Sequence, residues 1–229
     1  MIRHFKLLMV AISILAMPAS AAERVADTQG QTRGLYLQLI QQARADGRPR
    51  AAIAYLDDFE RKYPGDLDAS ILRANAMLDL GQIDEAAAVL ATLTKSQNSV
   101  GLSAVRGHVL AARGQWAEAI PFYQAAAAAG PTDPMLRNAL GYALLRGGYV
   151  DRAIEQLRNA ADLAPDDNVI RNNLILACTM AGRRADADAI IARAGDRQSQ
   201  ADLRRQVAAE VARIAKLVLD PSVSAKKAG

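Results

Sequence analysis

Residues 134–167 read PMLRNALGYALLRGGYVDRAIEQLRNAADLAPDD, and their pattern predicts the architecture of the chain. Leu140 and Leu144 lie four residues apart, as side chains on one face of a helix do. The pair Gly147–Gly148 ends that helix, because glycine adopts the left-handed conformation of a helix C-terminus without steric cost. A second helix follows, and Pro165 ends it. Its buried stripe has helical spacing and consists of Ala153, Leu157 and Ala160. The stretch predicts a helical hairpin.

The hairpin recurs along the chain with a period of 33 or 34 residues. In each unit a glycine is followed five positions later by an alanine: Gly47 with Ala52, Gly81 with Ala86, Gly114 with Ala119, Gly148 with Ala153, and Gly182 with Ala187. This period predicts a solenoid. We expect five units, at residues 33–66, 67–99, 100–133, 134–167 and 168–195. In the fourth unit, Gly141 is small enough to let the partner helix approach closely. In the first unit, the pattern places Leu39 and Ala43 in the core.

This small-large pattern resembles the tetratricopeptide repeat, in which small residues recur at positions 8, 20 and 27 and proline at position 32. The resemblance implies an all-α fold, a right-handed superhelical solenoid of about five hairpins. Composition agrees with it, since 51% of residues are hydrophobic but only 4% are aromatic. Alanine and leucine supply the apolar content, which suits closely packed helices, and β-forming runs are missing. The unit 67–99 departs from the pattern, being one residue short and lacking the closing proline.

The amino terminus has the features of a targeting segment. Arg3 and Lys6 precede the apolar run 7–17, and Ala19 and Ala21 stand at the positions that a signal peptidase reads. The run is short for a membrane span. We therefore expect a cleaved signal peptide at 1–21, a flexible segment at 22–32 and a periplasmic mature protein. No cysteine near this site could be lipidated, because Cys178 is the only cysteine.

The carboxyl-terminal region predicts a capping helix at 196–220 and a disordered tail at 221–229. Apolar residues with helical spacing form one face of this helix: Leu203, Val207, Val211, Ile214 and Val218. Arginines lie on the other face, as a terminal helix between the last repeat and water requires. From residue 183 onward there are ten Lys or Arg against six Asp or Glu. A helix on the membrane surface is the alternative interpretation.

Charge and composition argue against several function classes. Removal of Arg3 and Lys6 leaves 26 basic residues against 24 acidic ones, and this nearly balanced charge does not indicate nucleic-acid binding. With His4 in the targeting segment, His108 is the only histidine of the mature chain, so no multi-histidine metal site can form. We expect no enzyme, no cofactor, no metal and no small-molecule substrate. Cys178 is interpreted as a small core residue.

The candidate site is the concave surface. The resemblance to tetratricopeptide proteins implies that the first helix of each hairpin lines this surface, with its positions 2, 5, 9 and 12 pointing inward. The partner-binding residues predicted in this way are Asn75, His108, Asn138, Tyr142 and Asn172. Their amide, imidazole and phenol groups could pair with an extended peptide, and Asn138 and Tyr142 are expected to be exposed. The alternative is that these side chains simply face water.

A narrower resemblance rests on three motifs: Asn138-Ala139-Leu140-Gly141-Tyr142, Ala160-Ala161-Asp162-Leu163-Ala164-Pro165, and Arg171-Asn172-Asn173-Leu174 with Ala181-Gly182-Arg183. In an exported chain these residues resemble the TadD-type proteins of the Flp (tight adherence) pilus system, mainly over residues 134–195. The resemblance implies a protein associated with the outer membrane that helps to assemble the pilus secretin. Without a lipidation cysteine, membrane contact should be indirect or weak. The alternative is a general envelope scaffold for cell-wall or polysaccharide machinery.

Overall fold

The computed structural model describes residues 19–93 and 99–219. The helices in these ranges are α1 (Ala19–Ala45), α2 (Pro49–Lys62), α3 (Leu67–Asp79), α4 (Ile83–Ala91), α5 (Val100–Ala112), α6 (Trp116–Ala129), α7 (Pro134–Arg146), α8 (Val150–Leu163), α9 (Asn168–Met180), α10 (Arg184–Ile191) and α11 (Arg197–Leu219). The described residues include no strand. The prediction of an all-α solenoid is confirmed.

Successive helices pair into five hairpins, from α1 with α2 to α9 with α10. The first helices of the second to fifth hairpins begin at Leu67, Val100, Pro134 and Asn168, which are the first residues of the predicted units. Each hairpin also packs on the next, since α2 contacts α3, α6 contacts α7 and α8 contacts α9. Apolar surface is thus buried between neighbours along the whole array.

The hairpin bends have the predicted glycine geometry. Gly148 has φ +87°, a left-handed conformation that residues with a Cβ atom rarely adopt. Its N–H donates to the carbonyl of Leu145 at 3.1 Å, and the N–H of Tyr149 donates to the carbonyl of Leu144 at 2.8 Å. These two bonds satisfy carbonyls that the end of α7 leaves free. The other four predicted bend glycines, Gly47, Gly81, Gly114 and Gly182, have φ between 70° and 75°.

The first helices of four hairpins begin at a side-chain cap. Asp167 accepts hydrogen bonds from the N–H groups of Val169 at 2.8 Å and Ile170 at 2.9 Å. The capping residues of the other three helices are Asp66, Ser99 and Asp133. Each cap satisfies backbone donors that have no partner inside the helix and so fixes where the helix starts.

Small residues bring the two helices of a hairpin together. A Cβ atom added to Gly141 on α7 would lie 2.6 Å from Cγ of Leu157 on α8, closer than any real contact. Cys178 is fully buried, as predicted, and burial raises the pKa of its thiol. The prediction for the first unit is wrong at one position. Leu39 is 48% exposed, and Ile40 is the buried residue, because the apolar stripe of α1 runs through residues 37, 40 and 43.

The amino-terminal end differs from the sequence-based expectation. Residues 22–32, predicted to be flexible, belong to α1 in the structure. This segment contains no proline and only Gly30 as a glycine, so the helix that packs through residues 37–43 extends back through it. Residues 1–18 of the predicted signal peptide and the predicted tail 221–229 lie outside the described residues. Within residues 19–93 and 99–219, no helix combines the length and the hydrophobicity that crossing a bilayer requires.

Candidate partner-binding groove

The odd-numbered helices from α1 to α9 form the inner side of the solenoid. α1 contacts α3, α3 contacts α5, and α7 contacts α9 directly. We call the surface along these helices the groove. The residue at position nine of each inner helix is exposed in α1 and becomes more buried toward α9. Gln41 on α1 is exposed, Asn75, His108 and Tyr142 are half-buried, and Leu176 on α9 is only 4% exposed.

Two of the predicted residues contact each other in the amino-terminal half of the groove. Nδ1 of His108 on α5 lies 3.3 Å from Oδ1 of Asn75 on α3. Beside them, Nε of Arg44 on α1 donates to the carboxylate of Asp79 on α3 at 2.8 Å. Burial lowers the pKa of His108, and the charge of Arg44 lowers it further, while Asp79 opposes the shift. His108 is therefore a neutral imidazole near neutral pH, able to donate one hydrogen bond and accept another.

Asn138 has a partner that the sequence analysis did not single out. Nδ2 of Asn173 on α9 donates to Oδ1 of Asn138 on α7 at 2.9 Å. The expectation that Asn138 is exposed is therefore wrong, because the side chain is half-buried and bonded across neighbouring repeats. Its own amide N–H groups have no bonded partner among the described residues and could donate to a ligand.

Tyr142 lies within an aromatic and cationic cluster rather than projecting into water. Its ring packs edge-on against that of Trp116, with centroids 5.6 Å apart and an interplanar angle of 82°. The guanidinium of Arg146 lies 4.5 Å from the centre of the Trp116 ring and donates to the phenol oxygen of Tyr142 at 3.2 Å. The expectation that Tyr142 is exposed is wrong, because these side chains leave it half-buried.

The carboxyl-terminal helix α11 covers the last part of the groove. Leu203, Val207 and Ile214 are buried in the same apolar cluster as α7 and α9. Oε1 of Glu210 lies 3.4 Å from the phenol oxygen of Tyr142. A sixth hairpin would pack its first helix mainly on α10, as α7 packs on α6, but α11 contacts α9 more extensively than α10. The predicted capping helix therefore exists, and it is shifted into the groove.

Asn172 lies beside α11 and has an unpaired acceptor. Its Oδ1 and Nε of the adjacent Arg171 are buried and have no hydrogen-bond partner among the described residues. Both residues line a cleft of about 440 Å³ between α9, the loop after α10 and α11. An unpaired buried polar atom costs about 1–3 kcal/mol. A cleft and two unpaired polar atoms therefore coincide at this junction.

An open cleft of about 380 Å³ lies next to α11 on the inner side of α7. Its lining combines aromatic, amide and carboxylate groups from Ala111, Trp116, Tyr123, Asn138, Ala139, Tyr142, Asn173, Leu176 and Glu210. Rings can take up an apolar side chain, and the amides can pair with a peptide backbone. The cleft contains two of the five predicted residues. Asn75 and His108 lie farther along the groove, and Asn172 lines two other clefts, both between α9 and α11.

Sequence reasoning missed Trp116, Arg146, Asn173 and Glu210 as groove residues. Trp116 begins a second helix and Glu210 belongs to the cap, so neither falls on the inward-facing positions of the repeat. Only the repeated asparagines at 172 and 173 could have pointed to Asn173. Among the described residues there is also no group of three His, Cys, Asp or Glu side chains that could hold a metal ion.

Models of the tetratricopeptide repeat match residues 43–100, 74–134 and 105–168, and these matches together span more than half of the chain. The chain belongs to the tetratricopeptide repeat family. Such proteins are generally non-enzymatic scaffolds for protein–protein interaction. A relative, the TPR repeat-containing protein PA4299 of Pseudomonas aeruginosa, is 29% identical over 184 residues, which cover 78% of this chain and 71% of the relative.

Solved tetratricopeptide structures share the fold. The thermophilic TPR protein TTC0263 of Thermus thermophilus has a TM-score of 0.63 and 24% identity, over 78% of this chain and 98% of its own. MamA from Desulfovibrio magneticus RS-1 has a TM-score of 0.57 and 24% identity, over 76% of this chain and 96% of its own. YrrB, described as a TPR protein with an unusual peptide-binding site, has a TM-score of 0.53 and 18% identity, over 78% of this chain and 90% of its own.

Proposed function

We propose that this tetratricopeptide protein is a periplasmic assembly scaffold that holds a segment of an envelope protein in its groove. The observation that carries the proposal is the row of hydrogen-bonding side chains on the inner helices. Gln41 is exposed, and Asn75, His108 and Asn138 are half-buried with part of their hydrogen-bonding capacity free. Amide and imidazole groups in a row suit an extended peptide, whose backbone offers donors and acceptors at regular intervals.

The amino-terminal sequence pattern supports export and a periplasmic location for this scaffold. The basic residues Arg3 and Lys6, the apolar run 7–17 and the small residues before Ala22 form a signal-peptide pattern. Cleavage after Ala21 removes the first three residues of α1 and leaves in place the buried residues described on that helix, which are Leu37, Ile40 and Ala43. Amino-terminal sequencing of protein released from the periplasm should therefore begin at Ala22. Retention of the full chain in the cytoplasm would contradict this location.

A pilus machine is the system that we propose for the partner. The motifs in residues 134–195 resemble TadD-type proteins, which implies action on the outer-membrane secretin of a Flp-type pilus. The described peptide-binding site of YrrB supports peptide recognition by a solenoid of this kind. Any contact with the outer membrane would then pass through the partner, since Leu203, Val207 and Ile214 of α11 are buried in the apolar cluster with α9 while α11 occupies the groove.

A general envelope scaffold is the second candidate, and one observation favours it. Tyr149 and Leu163 are 48% and 44% exposed, and they lie at the two ends of α8 on the outer side of the solenoid. Large apolar side chains on the outer side suit a folded partner, such as a component of cell-wall or polysaccharide machinery. This candidate predicts that the partner contacts the even-numbered helices.

Photocrosslinking in the cell distinguishes the two candidates. Tyr142 is half-buried beneath Glu210, so the probe belongs at Gln41, an exposed position-nine residue. Gln124 on α6 is the matched control, because it is an exposed glutamine on an outer helix. Capture of a secretin or pilus component from position 41, and not from position 124, supports the assembly role. Capture of cell-wall enzymes from position 124 alone, or of no defined partner from either position, contradicts it.

A further inference from the structure

We propose that the surface beneath α11 is the docking site for an amphipathic helix of the partner, and that α11 occupies this surface until the partner helix replaces it. The inference rests on the proposed function, in which the groove holds the partner. It adds a second contact, in which a helical segment of the partner docks beneath α11 beside the extended segment held in the open part of the groove. It also explains why three of the five predicted binding residues, Asn138, Tyr142 and Asn172, lie under or beside α11.

The helix α11 follows the inner side of α9 as a bound helix would. Its first turns lie near Asn168 and Asn172, and Val207 and Glu210 lie near Leu176 farther along α9. Glu210 then reaches across to Tyr142 on α7. The helix therefore spans inner residues of two consecutive repeats, which is the surface that the sequence analysis assigned to a partner.

The fit of α11 is incomplete. A cleft of about 130 Å³ remains between α11 and α9, lined by Asn172, Asn173, Leu176, Leu203, Gln206, Val207 and Glu210. At its edge, Arg171 Nε and Asn172 Oδ1 are buried without partners. Polar bonds from α11 to α10 and the loop after it are few and exposed, such as Arg204 to Asp188 at 3.1 Å. Incomplete packing and unpaired polar atoms lower the cost of exchanging α11 for another helix.

The inner face of α11 specifies the chemistry of the helix that would replace it. Counted from Leu203, apolar side chains stand at positions i, i+4 and i+11, which are Leu203, Val207 and Ile214. A carboxylate stands at i+7, where Glu210 faces the Tyr142 hydroxyl and lies within the field of Arg146. We therefore expect a partner helix with three aliphatic residues at this spacing and an acidic residue between the second and the third.

The test mixes the full chain with a fluorescent peptide of residues 197–219, which has the sequence of α11. The peptide then competes with the chain's own α11 for the surface on α7 and α9. Ile214→Asp in the full chain weakens the internal copy, and Ala212→Asp places the same charge on the exposed face as a matched control. Apparent affinity rises in proportion to the fraction of molecules whose site is open. We expect the peptide to bind the Ile214→Asp chain about tenfold more tightly than the wild type or Ala212→Asp, measured by fluorescence anisotropy. Equal binding by all three chains would overturn the proposal.

A second variant tests the same surface without placing a charge in the apolar core, as Ile214→Asp does. Glu210→Gln keeps the apolar face of α11 and removes only the charge that faces Tyr142 and Arg146. It should bind the peptide about twofold to threefold more tightly than the wild type, with unchanged helicity by circular dichroism. A peptide that itself carries Ile214→Asp should not bind any chain, and binding of that peptide would contradict the assigned surface. Because no envelope partner takes part, this result is independent of the photocrosslinking outcome.

Discussion

The phenol oxygen of Tyr142 on α7 lies 3.4 Å from Oε1 of Glu210 on α11, which is 68 residues later in the chain. Arg146 donates to the same phenol oxygen, so one hydroxyl group joins the groove to the terminal helix. The pKa of Glu210 is lowered, chiefly by Arg213 at 2.7 Å and to a smaller degree by Tyr142 and Arg146. The carboxylate is therefore ionised at neutral pH, when it accepts from the phenol.

Substitution of Tyr142 should separate the role of its ring from the role of its hydroxyl. Tyr142→Ala removes the edge-on contact with Trp116 and should cost about 1–3 kcal/mol of unfolding free energy. Tyr142→Phe keeps the ring and should cost about 1 kcal/mol or less, because the lost hydrogen bond is long and partly exposed. Urea unfolding followed by circular dichroism measures both values. Equal costs for the two variants would contradict the packing role of the ring.

A methyl group at Gly141 should destabilise the fourth hairpin. The Cβ atom of Gly141→Ala meets Leu157 at 2.6 Å, and the carbonyl of Ala153 stands at 3.3 Å, so the helices must separate. We expect a loss of about 1–3 kcal/mol. Gly34→Ala is the matched control, because nothing lies within 4 Å of that Cβ position on α1. There the better helix propensity of alanine should stabilise the protein by about 0.5–1 kcal/mol. If both variants shifted the denaturant midpoint in the same direction relative to the wild type, the close approach of the two helices at Gly141 would be refuted.

His108 should make stability depend on pH between about 7 and 5.5. Its pKa in the folded state lies below the ordinary value, because burial and the Arg44 charge disfavour the imidazolium against the opposing charge of Asp79. As the pH falls through about 6.5, the unfolded chain binds a proton that the folded chain does not bind, so stability falls. The loss should grow as the pH falls further below about 6.5, until the folded chain also binds the proton.

His108→Gln should flatten this dependence, since glutamine can keep a hydrogen bond to Asn75 and does not titrate in this range. Carboxylates with lowered pKa, such as Asp66 and Glu210, stabilise the folded state above their unfolded pKa near 4 and lose that effect only at lower pH. The measurement is urea unfolding of both chains at pH 7 and pH 5.5. If the free energy of unfolding of His108→Gln changed with pH as much as that of the wild type, the pH dependence would belong to other groups.

The cap of α7 should contribute measurably to stability. Asp133 accepts hydrogen bonds from the N–H groups of Met135 at 2.8 Å and Leu136 at 3.3 Å. Asp133→Ala leaves both donors without this acceptor and should cost about 1 kcal/mol. The control is Asp162→Ala, which removes an exposed carboxylate near the C-terminus of α8 and should change stability by less than about 0.5 kcal/mol. Thermal unfolding of the two variants checks the difference.

Much of the candidate site could be located from the sequence, but its contacts could not. The repeat register predicted that Asn75, Asn138 and Tyr142 belong to inner helices, and the structure places all three there. The pairing of His108 with Asn75 and of Asn138 with Asn173 joins residues 33 and 35 positions apart. Such pairs depend on the rotation of one repeat against the next, which small packing differences set and a periodic pattern does not encode.

The amino-acid pattern alone predicts the helical hairpin, its period, the glycine bends and the buried stripes apart from that of α1. These features are local, because φ/ψ preferences, capping and the 3.6-residue periodicity act within a few turns. The tertiary structure decided which part of the groove stays open. The apolar face of α11 could have continued the stack on α10, but Leu203, Val207 and Ile214 are buried with Leu176 on the inner side. That choice depends on the summed packing of helices far apart in the chain, and amphipathic spacing alone does not specify which surface an apolar face covers.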